Sequence, residues 1–168
     1  MDHALNGLTH VGKGKAGADM QRLSSFPLPD EAYLPGLTAR VDPAMPELPS
    51  EFDFEREWSA IERYRFGIDC LNHDLGWECH EALEAIWHRV GRKTTRSGLG
   101  LQTLILLGCA RVKAISGKDS SVLIHRALER MQGLEGRVLY GLDWREVKEE
   151  VHQLRDRPSH RVFLNFYD

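Results

Sequence analysis

Three cysteines, Cys70, Cys79 and Cys109, are too few and too widely spaced for a disulfide framework or a zinc ribbon, and all sit in apolar segments. They read as buried thiols. Neither sign of charge dominates: 22 Lys+Arg against 25 Asp+Glu leave a net charge of -3, which gives the chain as a whole no pull toward nucleic acid or an anionic membrane. No apolar run approaches the roughly 18 to 20 residues that span a bilayer, and the opening MDHALNGLTHVGKGKAG lacks the hydrophobic stretch of a signal peptide. A soluble, cytoplasmic protein is expected. Gly-rich nucleotide loops, a Ser/His/Asp triad and a cysteine-nucleophile signature are all missing, as is any regular apolar/polar alternation of the kind strands show.

What is present is divided sharply. Pro27, Pro29, Pro35, Pro43, Pro46 and Pro49, six of the 7 prolines, precede residue 50. Residues 1–49 therefore read as a disordered tail of about twenty residues followed by an extended strap, pinned to a folded body by Phe26, Leu28, Tyr33, Leu34 and Leu37. Residues 50–168 read as a single all-α domain of about five helices packed around the most apolar of them.

The first predicted helix, about 51–72, has Ser50 as N-cap and Phe54, Trp58, Ile61, Ile68 and Leu71 at helical spacing. Asp74 is placed to cap a second, about 75–90, which must fold back on the first because the connection is so short. LGLQTLILLGCARVKAISG forms the central third helix, apolar on nearly every face from Leu99 to Ala110. A fourth runs from a cap at Asp119 or Ser120 to about Gln132, with Val122, Leu123, Leu128 and Met131 inward. Asp143 and Glu146 form a capping box for the last, striped by Trp144, Val147, Val151 and Leu154 and ended by Pro158. The four tryptophans, Trp58, Trp77, Trp87 and Trp144, are spaced as core anchors.

The second helix carries the densest polar cluster. At about 100° per residue, His80, Glu84 and His88 fall within one quadrant, interleaved with Trp77, Leu83 and Trp87, so imidazole and carboxylate lie among large apolar groups and must be satisfied internally or open into a cavity. Three readings follow. His80 and Glu84 are spaced to grip one divalent metal, with Glu81 as general base and a third ligand from His88, His73, Asp74 or His125. The same pair suits metal-free acid/base work. Alternatively, His80 and Glu84 fix helix register while Glu78 and Glu81 are solvated. Gln102, an amide in the apolar third helix, is a candidate partner for His80 or Glu84. Arg89, Arg92, Lys93 and Arg96, ahead of Ser97-Gly98-Leu99-Gly100, have the composition of an anion site, and His125 reads as a satisfied core or boundary histidine.

NHDLGWECHEALEAIWH, residues 72–88, resembles the signature of the family catalogued as domain of unknown function 309: Asn, a short turn, His-Glu, a further Glu and a Trp. Leu101-Gln102-Thr103-Leu104-Ile105 is similar to its Leu-Gln-Gly-Leu-Ile segment, and the resemblance covers about 50–135. It implies an all-helical fold with no established reaction, and puts His80, Glu81, Glu84 and Trp87 at the motif positions, Gln102 at the third-helix amide and Arg96 at the preceding basic residue. The chain departs at Thr103, Leu106 and Lys113, where the family tends to Gly, Gln and His, and at Ala39-Arg40-Val41, where its strap carries Pro-His-Pro.

Together these features give a catalytic candidate set His80, Glu81 and Glu84, a ligand-binding set Gln102, Arg96 and Trp87, and a metal set His80, Glu84 and His88. The expected function is a semi-buried His/Glu site taking a divalent metal or small anionic ligand for hydrolytic chemistry. The alternative is a non-catalytic interaction or structural module, with a homo-oligomer as one form.

Overall fold

The computed structural model describes residues 21–168, so the tail expected over the first twenty or so residues lies outside the described residues. The helices are α1 (Phe54–Glu57), α2 (Glu62–Asn72), α3 (Gly76–Arg89), α4 (Arg96–Ile115), α5 (Ser121–Arg130) and α6 (Trp144–Asp156). A 3₁₀ turn, Trp58–Ala60, joins α1 to α2, and a hairpin of β1 (Val138–Leu139) with β2 (Leu142–Asp143) precedes α6. The fold is predominantly helical rather than all-α. That hairpin turns through Tyr140 (φ 56°) and Gly141 (φ 74°), two left-handed residues in succession as a two-residue hairpin loop requires.

One expected helix is broken. Asp53, not Ser50, caps α1 by accepting the Glu55 N–H at 3.1 Å, and Ile61 then adopts extended backbone (φ −80°, ψ 100°) that stops helical propagation. The break turns Phe54 back onto the body, where its ring meets Tyr64 edge-on at 5.1 Å and Tyr140 at 5.4 Å. Asp74 does not cap α3 either. It sits at φ 63° and gives both carboxylate oxygens to Arg111 of α4, at 2.7 and 3.1 Å, while Arg111 also donates to the Pro158 carbonyl.

α4 begins one turn earlier than expected because Thr95 Oγ1 accepts the Gly98 N–H at 3.0 Å. Contrary to the expectation that no apolar stretch is long enough, its 20 residues suffice to cross a membrane by length and composition, yet 67% of that stretch is buried inside the fold. It is the central helix, with α3 on one side and α5 on another. The α3/α4 crossing is made by glycines: a Cβ added at Gly108 would stand 2.8 Å from the Gly76 carbonyl oxygen, and one at Gly76 would collide with the Gly108 carbonyl. Neither position has room for alanine.

α6 buries Trp144, Val147, Val151 and Leu154 as the stripe requires, and Asp143 caps it through the Arg145 N–H. The expected reciprocal bond from Glu146 is not made; Glu146 instead accepts from Asn165 and Tyr167 of the C-terminal segment. Among the tryptophans only Trp144 is fully buried, the other three being half-buried. On α5, Val122 and His125 face solvent rather than the core, with His125 paired to Glu129 at 3.2 Å.

The strap crosses α2 and α3, held by acids that accept its backbone N–H groups. Asp69 takes Leu23 and Ser24 together with the Arg22 guanidinium, Glu62 takes Ser25 and the Ser24 hydroxyl, and Glu78 takes Tyr33. Phe26 packs edge-on against Phe66 at 5.5 Å, whereas Leu37, expected as a pin, is exposed.

Forcing a methyl between α3 and α4 overpacks a contact with no side chain to yield, so Gly76→Ala and Gly108→Ala should each lose about 1–3 kcal/mol in urea unfolding. Gly133→Ala, at a position with nothing within 4 Å, is the control. An unchanged midpoint for Gly76→Ala would show that the crossing does not depend on the glycines.

Candidate functional site

Helix periodicity distributes the polar residues of α3 over different faces. His80, Glu84 and His88 form a ladder: His80 Nε2 lies 3.3 Å from one carboxylate oxygen of Glu84, and His88 Nε2 lies 3.7 Å from the other. His80 is mostly covered, its side chain 19% exposed and its ring 4.9 Å from Trp77, while Glu84 and His88 are open to water. His80 Nδ1 and Trp87 Nε1 are buried without partners. The ladder is not a convergent donor set. Its imidazoles flank one carboxylate on a single helix, and among the described residues no three His, Cys, Asp or Glu side chains are grouped to hold a metal ion. As both partners belong to α3, the His80–Glu84 pair also does not link one helix to another.

Glu81 is turned from the ladder toward α2, where its backbone carbonyl accepts from Arg63 and its charge acts on that guanidinium. The structure therefore brings His80 and Glu84 together and leaves Glu81 apart. Gln102 does not meet them either: its Oε1 accepts from Arg130 of α5 at 2.8 Å. Arg96 is exposed at the start of α4, where its charge reaches Tyr140. The basic stretch is not free as a set. Arg89 donates to the Pro49 and Ser50 carbonyls and stacks over Phe52, Arg92 donates to His88 Nδ1 and stands over Trp87, and Thr95 already fills the first turn of α4.

Beside the ladder, Trp77 and Cys109 open into a groove of about 290 Å³ between α3, α4 and the start of α5, with Pro35 of the strap, Val112 and Leu123 on its walls. Lys113 and Lys118 stand in its lining. Burial pushes the Cys109 thiol up to about 11, with the Glu84 carboxylate adding to the effect and Lys113 opposing it. Cys70 and Cys79 are fully buried, and burial raises both thiols further.

Glu78 is the residue that sequence reading missed. It is 2% exposed rather than solvated, with one oxygen accepting the Tyr33 N–H at 2.7 Å and the other buried with no partner. A signal was available: Leu75, Glu78, Cys79, Ala82 and Ile86 recur at three- and four-residue intervals, and all five are buried. Burial raises the Glu78 carboxyl above its ordinary 4.5, the Tyr33 N–H partly opposing it.

Residues 64–124 match the family model described as Domain of unknown function (DUF309). The match spans α2, α3, α4 and the start of α5, and so contains the ladder, the groove and Glu78 but not the strap or α6. No curated protein and no solved structure matches the chain.

Because the folded state raises the Glu78 pKa, it binds a proton that the unfolded chain has already lost. The stability this contributes is complete below the unfolded value of 4.5 and is lost as pH rises through the folded one. Glu78→Gln keeps the oxygen that accepts from Tyr33 and removes the titration, so its melting temperature should exceed that of the natural chain at pH 8 and the advantage should shrink toward pH 4. Glu62 acts in the opposite sense, since the Ser24 hydroxyl holds it low, but it is common to both proteins and cancels in the difference. A gap that does not change with pH would contradict this assignment.

Proposed function

We propose, from the premise that residues 64–124 belong to the DUF309 family, that the chain is a cytoplasmic ligand-binding module and that the α3/α4 groove holds a small amphipathic anion. The observation that carries this reading is the pair of lysines in a mainly apolar lining, whose other polar group, the Ser116 hydroxyl, donates to the Val112 carbonyl. Lys148–Glu135 is the only lysine ion pair among the described residues, so Lys113 and Lys118 bring two positive charges to the groove without a carboxylate bonded to either. Trp77, Val112, Leu123 and Pro35 supply contact for a short alkyl chain or an aryl ring, and the lysines supply donors for a carboxylate or phosphate.

In this reading the ladder supports the wall. His80 packs on Trp77, and Glu84, paired to His80, sets how far that ring can swing. Hydrolysis would need a nucleophile or an activated water beside the bound anion. Neither the non-convergent ladder nor the Cys109 thiol, held protonated at neutral pH, favours such a step, so binding is the better-supported role.

Octanoate is a suitable probe. Its binding should change tryptophan fluorescence and slow alkylation of Cys109 by N-ethylmaleimide, and Lys113→Met with Lys118→Met should weaken binding by about tenfold or more. Equal affinity of the double variant, or octanol binding as well as octanoate, would remove the anion from the proposal. A stoichiometric divalent ion in untagged protein that His80→Ala abolishes would replace it with the metal reading.

A further inference from the structure

We propose that the cleft beneath the strap is a second binding site, separate from the α3/α4 groove, and that it takes a small primary ammonium whose charge is met by Glu78. The cleft has a volume of about 570 Å³, and all but one of its lining residues belong to the strap between Phe26 and Ala44. The exception is Glu78, the single contribution of the helical body. It is almost wholly buried, and its second carboxylate oxygen has no donor. Native proteins leave few buried polar atoms in that state, and one at a cleft points to a missing partner.

The surroundings say what that partner carries. The charged residues in the lining are Asp30, Glu31, Asp42 and Glu78, all acids, and no lysine, arginine or histidine is among them. Asp42 is partly neutralised by Arg40, 3.3 Å away, which is not itself in the lining. The Thr38 hydroxyl is occupied, accepting from Leu34 N–H and facing the Ala32 carbonyl. The walls are apolar: Phe26, Leu28, Tyr33 and Pro43 give an aliphatic or aromatic body something to pack on. An anion would meet four carboxyl groups and no cation, whereas an ammonium would donate to the unpartnered oxygen of Glu78, with Asp30 and Glu31 also in the lining.

Binding would then favour the ionised carboxylate. Burial and, more weakly, Glu81 on its own helix disfavour the ionised form of Glu78, while the Tyr33 N–H of the strap and its own backbone N–H favour it; the Cys70 and Cys79 thiols on α2 and α3 feel its charge in turn. No cation is bonded to Glu78 in the fold, and an ammonium on its second oxygen would favour the ionised carboxyl, so that the pair formed is carboxylate with ammonium.

The test is titration calorimetry of the full chain with phenethylammonium chloride near neutral pH. The expected result is binding of the amine, with 2-phenylethanol about tenfold weaker or worse and phenylacetate not binding. Glu78→Gln should lose about tenfold or more in affinity. Asp30→Asn with Glu31→Gln, on the exposed strap, should weaken binding severalfold without changing the melting temperature. This pair decides the matter if Glu78→Gln does not fold: unchanged affinity would overturn the proposal. So would equal binding of the amine and the alcohol, an unaffected and folded Glu78→Gln, or no heat with the natural chain at ~10 mM amine. Octanoate should not compete; competition would show that the two clefts are one site, and loss of octanoate binding alone would leave this site standing.

Discussion

The constraint on which the rest of the molecule depends is the approach of two backbones where α3 crosses α4. Gly76 and Gly108 face each other with so little space that either Cβ would press into the opposite carbonyl. That approach brings the central helix close enough for Arg111 to reach Asp74 with both prongs of its guanidinium. The pair anchors the turn into α3, and the further bond from Arg111 to Pro158 ties the region after α6 to the same point. The groove at Trp77 and Cys109 follows from the same geometry, since these residues are the immediate neighbours of the two glycines in sequence. Where the glycines touch, the flanking side chains are carried outward and leave a concavity between them.

A second theme is the use of carboxylates as receptors for backbone. The strap forms no helix or strand, so its N–H groups need acceptors from elsewhere. Asp69, 1% exposed, is satisfied by Arg22, Leu23 and Ser24, so its charge is both countered and fully hydrogen-bonded. Glu78 lies in a comparably buried place with only one of its oxygens engaged. The contrast separates an acid satisfied within the fold from one left with an unpartnered oxygen. It is the reason Glu78, and not the better-advertised His80, stands out chemically.

The polar face of α3 shows how a one-dimensional motif divides in three dimensions. His80 and Glu81 are adjacent in sequence, but one helical step of about 100° sends the first to Trp77 and the second toward Arg63 of α2. Glu84 returns to the side of His80, and the exposed His88 completes a run whose members mainly contact one another. Gln102 lies on the helix that packs against α3, yet it faces Arg130 of α5, because α4 is covered on more than one side and an amide on it meets only one neighbour.

Periodicity by itself determined that this chain is helical beyond residue 50, where α3 to α6 lie to within a few residues, that the segment centred on Leu104 is the core helix, and that Trp144, Val147, Val151 and Leu154 face inward. Such features depend on intervals of three and four residues, which a linear text displays. The resemblance of residues 64–124 to the DUF309 model was equally legible because it is carried by local sequence. Tertiary structure alone decided the break at Ile61, where burying Phe54 against Tyr64 and Tyr140 outweighs continuing a helix, and the left-handed turn at Tyr140–Gly141. It alone diverted Asp74 from a cap to Arg111 and assigned Gln102 to Arg130. In each case the deciding partner is distant along the chain, and polar groups are committed by what reaches them in space, which spacing along one helix does not encode.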